Sequence, residues 1–194
     1  VRHAPAWFWR PSIVRGLLAL TTVVLVGTMG TCYGMWLQSG CLAFLPFVSD
    51  LGISGGMGVV FECGNLLEGL LQAAWVVQLA RAQRWLLVTV RAEGPWLNFH
   101  DLLLFAGFVV AGGTTCIGLF PWDRTGMVVR LHFVFAACVF YGGCFWGIAN
   151  FLVSWRIRRD APPLYREPLP LVHAAQPCLA LGSLLIFSAA PLFL

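Results

Sequence analysis

The sequence predicts an all-α fold, a polytopic bundle of transmembrane helices that forms one domain over residues 1–194. Composition is the first reason: 59% of the residues are hydrophobic and only 10% are charged, which the surface of a soluble domain would not tolerate. The second reason is that the apolar residues form long stretches. The third is that the basic residues fall almost entirely on one side of those stretches.

Five apolar stretches are long enough to span a membrane. A bilayer core about 30 Å thick needs about 20 helical residues, each of which rises about 1.5 Å. The stretches cover residues 13–37, 58–80, 97–119, 127–153 and 171–194. We therefore expect five spans, and a sixth, missing span would explain why the chain ends directly after the fifth.

Arginine predicts the orientation of these spans. Ten of the twelve basic residues lie before or at the start of the first stretch, between the second and third, or between the fourth and fifth. Short loops with an excess of positive charge remain on the cytoplasmic side. We therefore place the N-terminus on the cytosolic-equivalent side. The arginines contact anionic headgroups there, so the net charge of +4 gives no indication of nucleic-acid binding.

The second stretch carries a set of polar side chains, namely Glu62, Asn65, Glu68 and Gln72. On a helix these positions fall within about 120° of arc and form one stripe. A charge in the bilayer core costs about 2.5–3.5 kcal/mol on insertion scales, so such a stripe is expected to face protein. The functional interpretation is a cavity that binds a proton, an ion or a lipid headgroup. The alternative is that Glu62 lies near the outer interface of the membrane and that Glu68 is protonated or paired inside the bundle.

The third stretch opens with His100 and Asp101, preceded by Asn98. This order is typical of a helix start, because an acidic residue in the first turn complements the helix dipole. We therefore predict a structural role for these residues.

The fourth stretch places Arg130 and His132 close to its start, at a depth comparable with Glu62. A carboxylate and an imidazole at that depth could hold a metal or share a proton, or they could hold a lipid phosphate together with Arg130. The alternative is that His132 forms a hydrogen bond between helices. Further along this stretch, Gly143 and Gly147 predict a face that a neighbouring helix approaches closely.

The loop after the first stretch, Phe44-Leu-Pro-Phe-Val-Ser-Asp-Leu-Gly52, resembles a motif of the damage-regulated autophagy modulator (DRAM) family and its wider superfamily. The motif positions are Pro46, Ser49, Asp50 and Gly52 in the loop, then Asn65, Gly118 and His132. The family usually has a Pro-Glu pair shortly after the loop, where this chain has Ser54-Gly55-Gly56, and it typically has six spans.

The resemblance implies a non-catalytic protein of an endomembrane (lysosome or Golgi) or of the plasma membrane, which organises or senses lipid. It also implies that Asp50, Asn65 and His132 converge on one pocket. We expect bound phospholipid as a partner and no metal, cofactor or catalytic residue.

Two other classes of function stay open. The chain could be an accessory subunit of a respiratory or photosynthetic assembly in an organelle inner membrane, with other membrane subunits as its partners. It could also be an intramembrane enzyme or transporter that uses Glu62, Glu68 and His132. The sequence leaves catalysis open but favours a protein that carries out no reaction.

Overall fold

A computed structural model describes residues 11–40, 55–92, 94–120 and 126–160. These residues form four helices: α1 Pro11–Gln38, α2 Gly55–Thr89, α3 Gly94–Leu119 and α4 Met127–Asp160. The all-α prediction is confirmed for this part of the chain. The first four predicted stretches each correspond to one helix, but the helices extend beyond them. Hydropathy marks the apolar residues and does not register the polar turns that continue a helix into water.

Three of these helices are long and apolar enough to cross a membrane, over Ile13–Gln38, Gly94–Leu119 and Met127–Asp160. The prediction of five spans is therefore not confirmed. The second predicted span is helical, but α2 is not among the three, because its glutamates and amide side chains lower its hydropathy. The fifth predicted span, residues 171–194, lies outside the described residues.

The four helices form an up-and-down arrangement in which each packs against the next along the chain, and α4 also contacts α2. Helices α2, α3 and α4 thus surround a common interior, and α1 lies against α2 on the outside. Helix α3 is the most buried of the three apolar helices. In its most apolar part 44% of the residues are buried, whereas the figure is 11% in both α1 and α4.

Several glycines let these helices approach closely. A Cβ atom at Gly69 would lie 2.7 Å from the carbonyl oxygen of Ala111, so α2 and α3 touch through backbone there. A Cβ atom at Gly64 would overlap the side chain of Thr28 in α1. Small residues at such crossings are typical of membrane helices, because association there depends on close packing.

The glycine face predicted on α4 is only partly correct. Gly142, one residue earlier than predicted, faces α3, and a Cβ atom there would lie 3.1 Å from the Val110 side chain. Gly143 has no atom within 4 Å of such a position among the described residues. Among the described residues the small-residue contact of α4 is thus made by Gly142, and the part of the predicted face at Gly147 stays a prediction.

Helix α2 ends in a backbone cap of the Schellman type. The Ala92 N–H donates to the Leu87 carbonyl at 2.9 Å, and the Arg91 N–H donates to the Val88 carbonyl at 3.1 Å. Arg91 adopts a positive φ of 52°, a conformation that usually selects glycine. The cap lets the chain turn from α2 into α3, and the residue at its positive-φ position is an arginine rather than a glycine.

The antiparallel order brings most of the described arginines to one end of the bundle. We call it the arginine-rich end, defined by Arg81, Arg84, Arg91, Arg156, Arg158 and Arg159. The opposite end is defined by Glu62, Gly118, Phe120, Arg130 and His132.

Each end has its own buried apolar cluster. At the arginine-rich end it joins α2, α3 and α4 through Leu87, Leu103, Ala149, Val153 and Ile157. At the opposite end it joins α1 and α2 through Cys32, Met57 and Phe61.

Candidate functional site

Two members of the predicted polar stripe face α3. Asn65 is only 5% exposed, and its Nδ2 donates to the Phe61 carbonyl of the same helix at 2.8 Å. Its side chain borders the position that a Cβ atom on Gly118 would occupy. Deeper in the bundle, the Oε1 atom of Gln72 accepts a hydrogen bond of 3.3 Å from the Thr114 hydroxyl. The amides of the stripe therefore serve the contact between α2 and α3.

The two carboxylates of the stripe lie at the margin of this contact. Glu62 and Glu68 are both partly exposed, and within the described residues neither forms an ion pair. The backbone carbonyl of Glu62, rather than its carboxylate, faces α3 at Gly118. A cavity that uses both carboxylates stays a prediction.

His132 joins the start of α4 to the end of α3. Its side chain is 1% exposed, and Nδ1 lies 2.7 Å from the Phe120 carbonyl oxygen. A carbonyl can only accept, so Nδ1 carries the proton that is donated. The Phe120 ring stacks on Phe135 of α4, with a centroid distance of 5.3 Å. This is the kind of contact that the helix-packing interpretation of His132 predicts.

The other predicted residues of the opposite end are less informative. Arg130 is exposed. The motif loop with Pro46, Ser49, Asp50 and Gly52 lies outside the described residues, so the convergence of Asp50 with Asn65 and His132 stays a prediction. Within the described ranges, no three His, Cys, Asp or Glu side chains are close enough to hold a metal ion.

The arginine-rich end contains a polar pair that sequence reasoning missed. The Gln83 Nε2 of α2 donates to the Asn150 Oδ1 of α4 at 2.9 Å, and both residues are almost fully buried. Asn150 in turn donates through Nδ2 to the Trp146 carbonyl at 2.9 Å. Asn150 is a single amide in an apolar stretch, but Gln83 lies between Arg81 and Arg84, beyond the second stretch. Nothing in the sequence pairs residues 67 positions apart.

His100 forms a second buried contact at this end. It is 1% exposed, and its Nε2 lies 2.9 Å from the Ala80 carbonyl oxygen of α2, to which it therefore donates. The prediction that Asn98, His100 and Asp101 open a helix is wrong, because α3 begins at Gly94. The helix extends N-terminally from Asn98 to Gly94, beyond the start of the predicted apolar stretch at residue 97.

An open groove of about 240 Å³ lies beside these contacts, where α3 begins and α4 approaches its end. Its walls are the side chains of Pro95, Trp96, Phe99 and Leu152. The guanidinium carbon of Arg156 lies 5.7 Å from the centroid of the Trp96 ring, which is the geometry of a cation–π contact. The groove is thus apolar along its walls and basic at one rim.

The geometry can support two kinds of chemistry. The buried amides and imidazoles join helices by hydrogen bonds, and the groove can hold an apolar chain. Comparison of the chain with family models, with curated proteins and with solved structures found no match. The resemblance to the DRAM family therefore rests on the motif residues alone.

Proposed function

We propose that this chain is a multi-pass membrane protein, DRAM-like and without catalytic activity, that organises or senses membrane lipid. The observation that carries the proposal is the distribution of polar and apolar side chains. The buried polar residues include Asn65, Gln83, His100, His132 and Asn150, whereas large apolar side chains are exposed on all four described helices. Apolar side chains outside and hydrogen-bonded polar side chains inside suit a protein whose solvent is lipid.

The proposal includes a membrane crossing by α2. Helices α1 and α3 both have the composition of a span, and α2 runs antiparallel between them. At about 1.5 Å per residue, the 35 residues of α2 extend about 52 Å, well beyond a bilayer core of about 30 Å. The polar residues of α2 can therefore be divided between the bundle interior and the aqueous ends.

Lipid is the proposed partner because the described helices offer it so much apolar surface. Val23 in α1 and Phe105 in α3 are each 66% exposed, and Met127 at the start of α4 is 76% exposed. The DRAM-like motif adds an expectation of an endomembrane, such as lysosome or Golgi, or of the plasma membrane.

The test is to reconstitute the full chain in nanodiscs from a mixture of phospholipids and to identify the retained lipids by mass spectrometry. The proposal expects a retained lipid population that differs from the supplied mixture. A retained population with the composition of the supplied mixture would contradict a lipid-specific role.

A second candidate function is that of an accessory subunit of a large membrane complex, for example in an organelle inner membrane. The observation that favours it is α1, which among the described helices packs mainly against α2 and leaves most of its surface uncovered. Purification from native membranes distinguishes the two candidates. Stoichiometric recovery with a multi-subunit assembly supports the accessory role, and recovery of the chain with lipid alone supports the lipid role.

A further inference from the structure

We infer that the groove formed by Pro95, Trp96, Phe99 and Leu152 binds an anionic phospholipid, with an acyl chain between these walls and the phosphate beside Arg156. The inference rests on the proposed function in that it requires the arginine-rich end to lie at a membrane surface. It goes beyond that function because it names a site and the charge of the lipid.

The shape of the groove favours an acyl chain. Its walls are almost entirely carbon, and two of them, Trp96 and Phe99, meet edge to face with ring centroids 6.2 Å apart. Pro95 and Leu152 are exposed at its margin, so the groove is accessible from the side of the bundle. An unfilled apolar recess loses dispersion contacts along its walls, and a flexible hydrocarbon chain restores them.

The charge at the rim favours an anionic headgroup. Arg156 lies one helical turn beyond Leu152 in α4, and its side chain, 15% exposed, is held over Trp96 and paired with Asp160. Arg158 and Arg159 follow in the same turn and are exposed. Arg159 also pairs with Asp160 at 3.1 Å and lies over the Trp155 ring. Three arginines against one aspartate leave a net charge of +2 on residues 156–160. Guanidinium groups form strong charge-assisted hydrogen bonds with phosphate.

The N-terminus of α3 also adds positive partial charge beside the groove. The groove is lined by the second and third residues of this 26-residue helix, Pro95 and Trp96. The first N–H groups of a helix have no partner within the helix and carry a positive partial charge. An anionic lipid is thereby favoured over a zwitterionic one, because the headgroup of a zwitterionic lipid carries its own cation toward the same arginines.

The test uses two substitutions that act on the two parts of the site, with a matched control for each. Leu152→Trp fills the groove, and Val23→Trp places the same side chain on an exposed position of α1. Arg156→Gln removes the charge at the rim, and Arg81→Gln removes one from an exposed position of α2 at the same end, outside the groove. Each protein is reconstituted with phosphatidylglycerol and phosphatidylcholine in equal amounts, and the retained lipids are quantified by native mass spectrometry.

We expect Arg156→Gln to reduce the retained phosphatidylglycerol about tenfold, the effect of one hydrogen bond to a charged group. Leu152→Trp is also expected to reduce it, because the indole occupies the space of the acyl chain. Arg156→Lys is expected to retain more phosphatidylglycerol than Arg156→Gln. The two control variants are expected to retain as much phosphatidylglycerol as the wild-type protein. Thermal unfolding of each variant verifies that the fold is intact.

The outcomes separate this inference from the proposed function. Wild-type protein that enriches phosphatidylglycerol, with no loss in either groove variant, overturns the groove site and leaves the lipid function standing. Loss in Leu152→Trp with no loss in Arg156→Gln overturns the anionic headgroup contact. Wild-type protein that enriches neither lipid overturns the anionic-lipid site, whereas the proposed function is overturned only by the phospholipid-mixture experiment described above.

Discussion

At the arginine-rich end of the bundle, side chains from three helices meet through hydrogen bonds, whereas at the opposite end α2 and α3 approach through backbone. Gln83 and Asn150 bridge α2 and α4 with their amides, and His100 reaches from α3 to α2. At the opposite end, Gly118 lies directly against the carbonyl of Glu62. The helices are thus joined by hydrogen-bonding side chains at the arginine-rich end. At the opposite end, α2 and α3 can touch because Gly118 has no side chain.

The two buried histidines sharpen this comparison. His100 donates to the Ala80 carbonyl, which lies inside α2 and also has a helical N–H partner. His132 donates to the Phe120 carbonyl, which lies just beyond the last residue of α3, where carbonyls lack helical partners. At the arginine-rich end, His100 therefore gives the Ala80 carbonyl a second hydrogen bond. At the opposite end, His132 caps the C-terminus of α3.

The largest effect is expected from Gly118→Ala. The new Cβ atom would lie 2.6 Å from the Glu62 carbonyl oxygen, so α2 and α3 must separate. We expect the free energy of unfolding to fall by about 1–3 kcal/mol, the usual cost of overpacking. Equilibrium unfolding in mixed detergent micelles measures it.

The matched control is Gly112→Ala in the same helix, where no described atom lies within 4 Å of the new Cβ. Alanine favours a helix over glycine by about 1 kcal/mol, so this variant is expected to be neutral or more stable. Equal behaviour of the two variants would show that backbone contact does not hold the opposite end together.

His132→Phe is expected to cost about 1–2 kcal/mol, since it removes the donor of the partly buried Phe120 carbonyl at the end of α3. His100→Phe is expected to cost less, because the Ala80 carbonyl keeps its helical partner. Unfolding of the two variants side by side measures the difference. A larger loss for His100→Phe would reverse the proposed contrast between the two ends.

The Gln83–Asn150 pair is expected to contribute a coupling energy of about 1 kcal/mol, near the range measured for hydrogen bonds between membrane helices. The experiment is a double-mutant cycle with Gln83→Leu, Asn150→Leu and the double variant. The double variant should lose less stability than the sum of the single variants, because either change alone leaves one amide buried without its partner. Strict additivity would mean that the pair is not coupled.

The smallest effect is expected from Arg84→Gln. Arg84 and Asp101 form an ion pair of 2.6 Å between α2 and α3, but both side chains are about half exposed. We expect a change of about 0–0.5 kcal/mol that disappears in high salt, as is usual for exposed pairs. A loss as large as that for Asn150→Leu would show that surface charge contributes to the stability of the arginine-rich end as much as buried amides do.

The comparison also shows which site residues could be predicted. The stripe on α2 was visible because Glu62, Asn65 and Glu68 interrupt an apolar run, and one of the three, Asn65, is fully buried against α3. Gln83 and Asn150 were as polar, but Gln83 lies among the arginines beyond the second apolar stretch, and Asn150 is the only amide in the fourth. A pair of residues on different helices is visible only once the helices are placed together.

Sequence alone determined the class of this protein, its four described helices and the side of the bundle to which arginine goes. These properties follow from local composition, because transfer to lipid depends on each segment separately. Tertiary structure decided where the helices end, that Gly142 rather than Gly143 meets α3, and that Trp96 and Leu152 border one groove. Those features depend on the rotation and depth of each helix relative to its neighbours, and packing sets both.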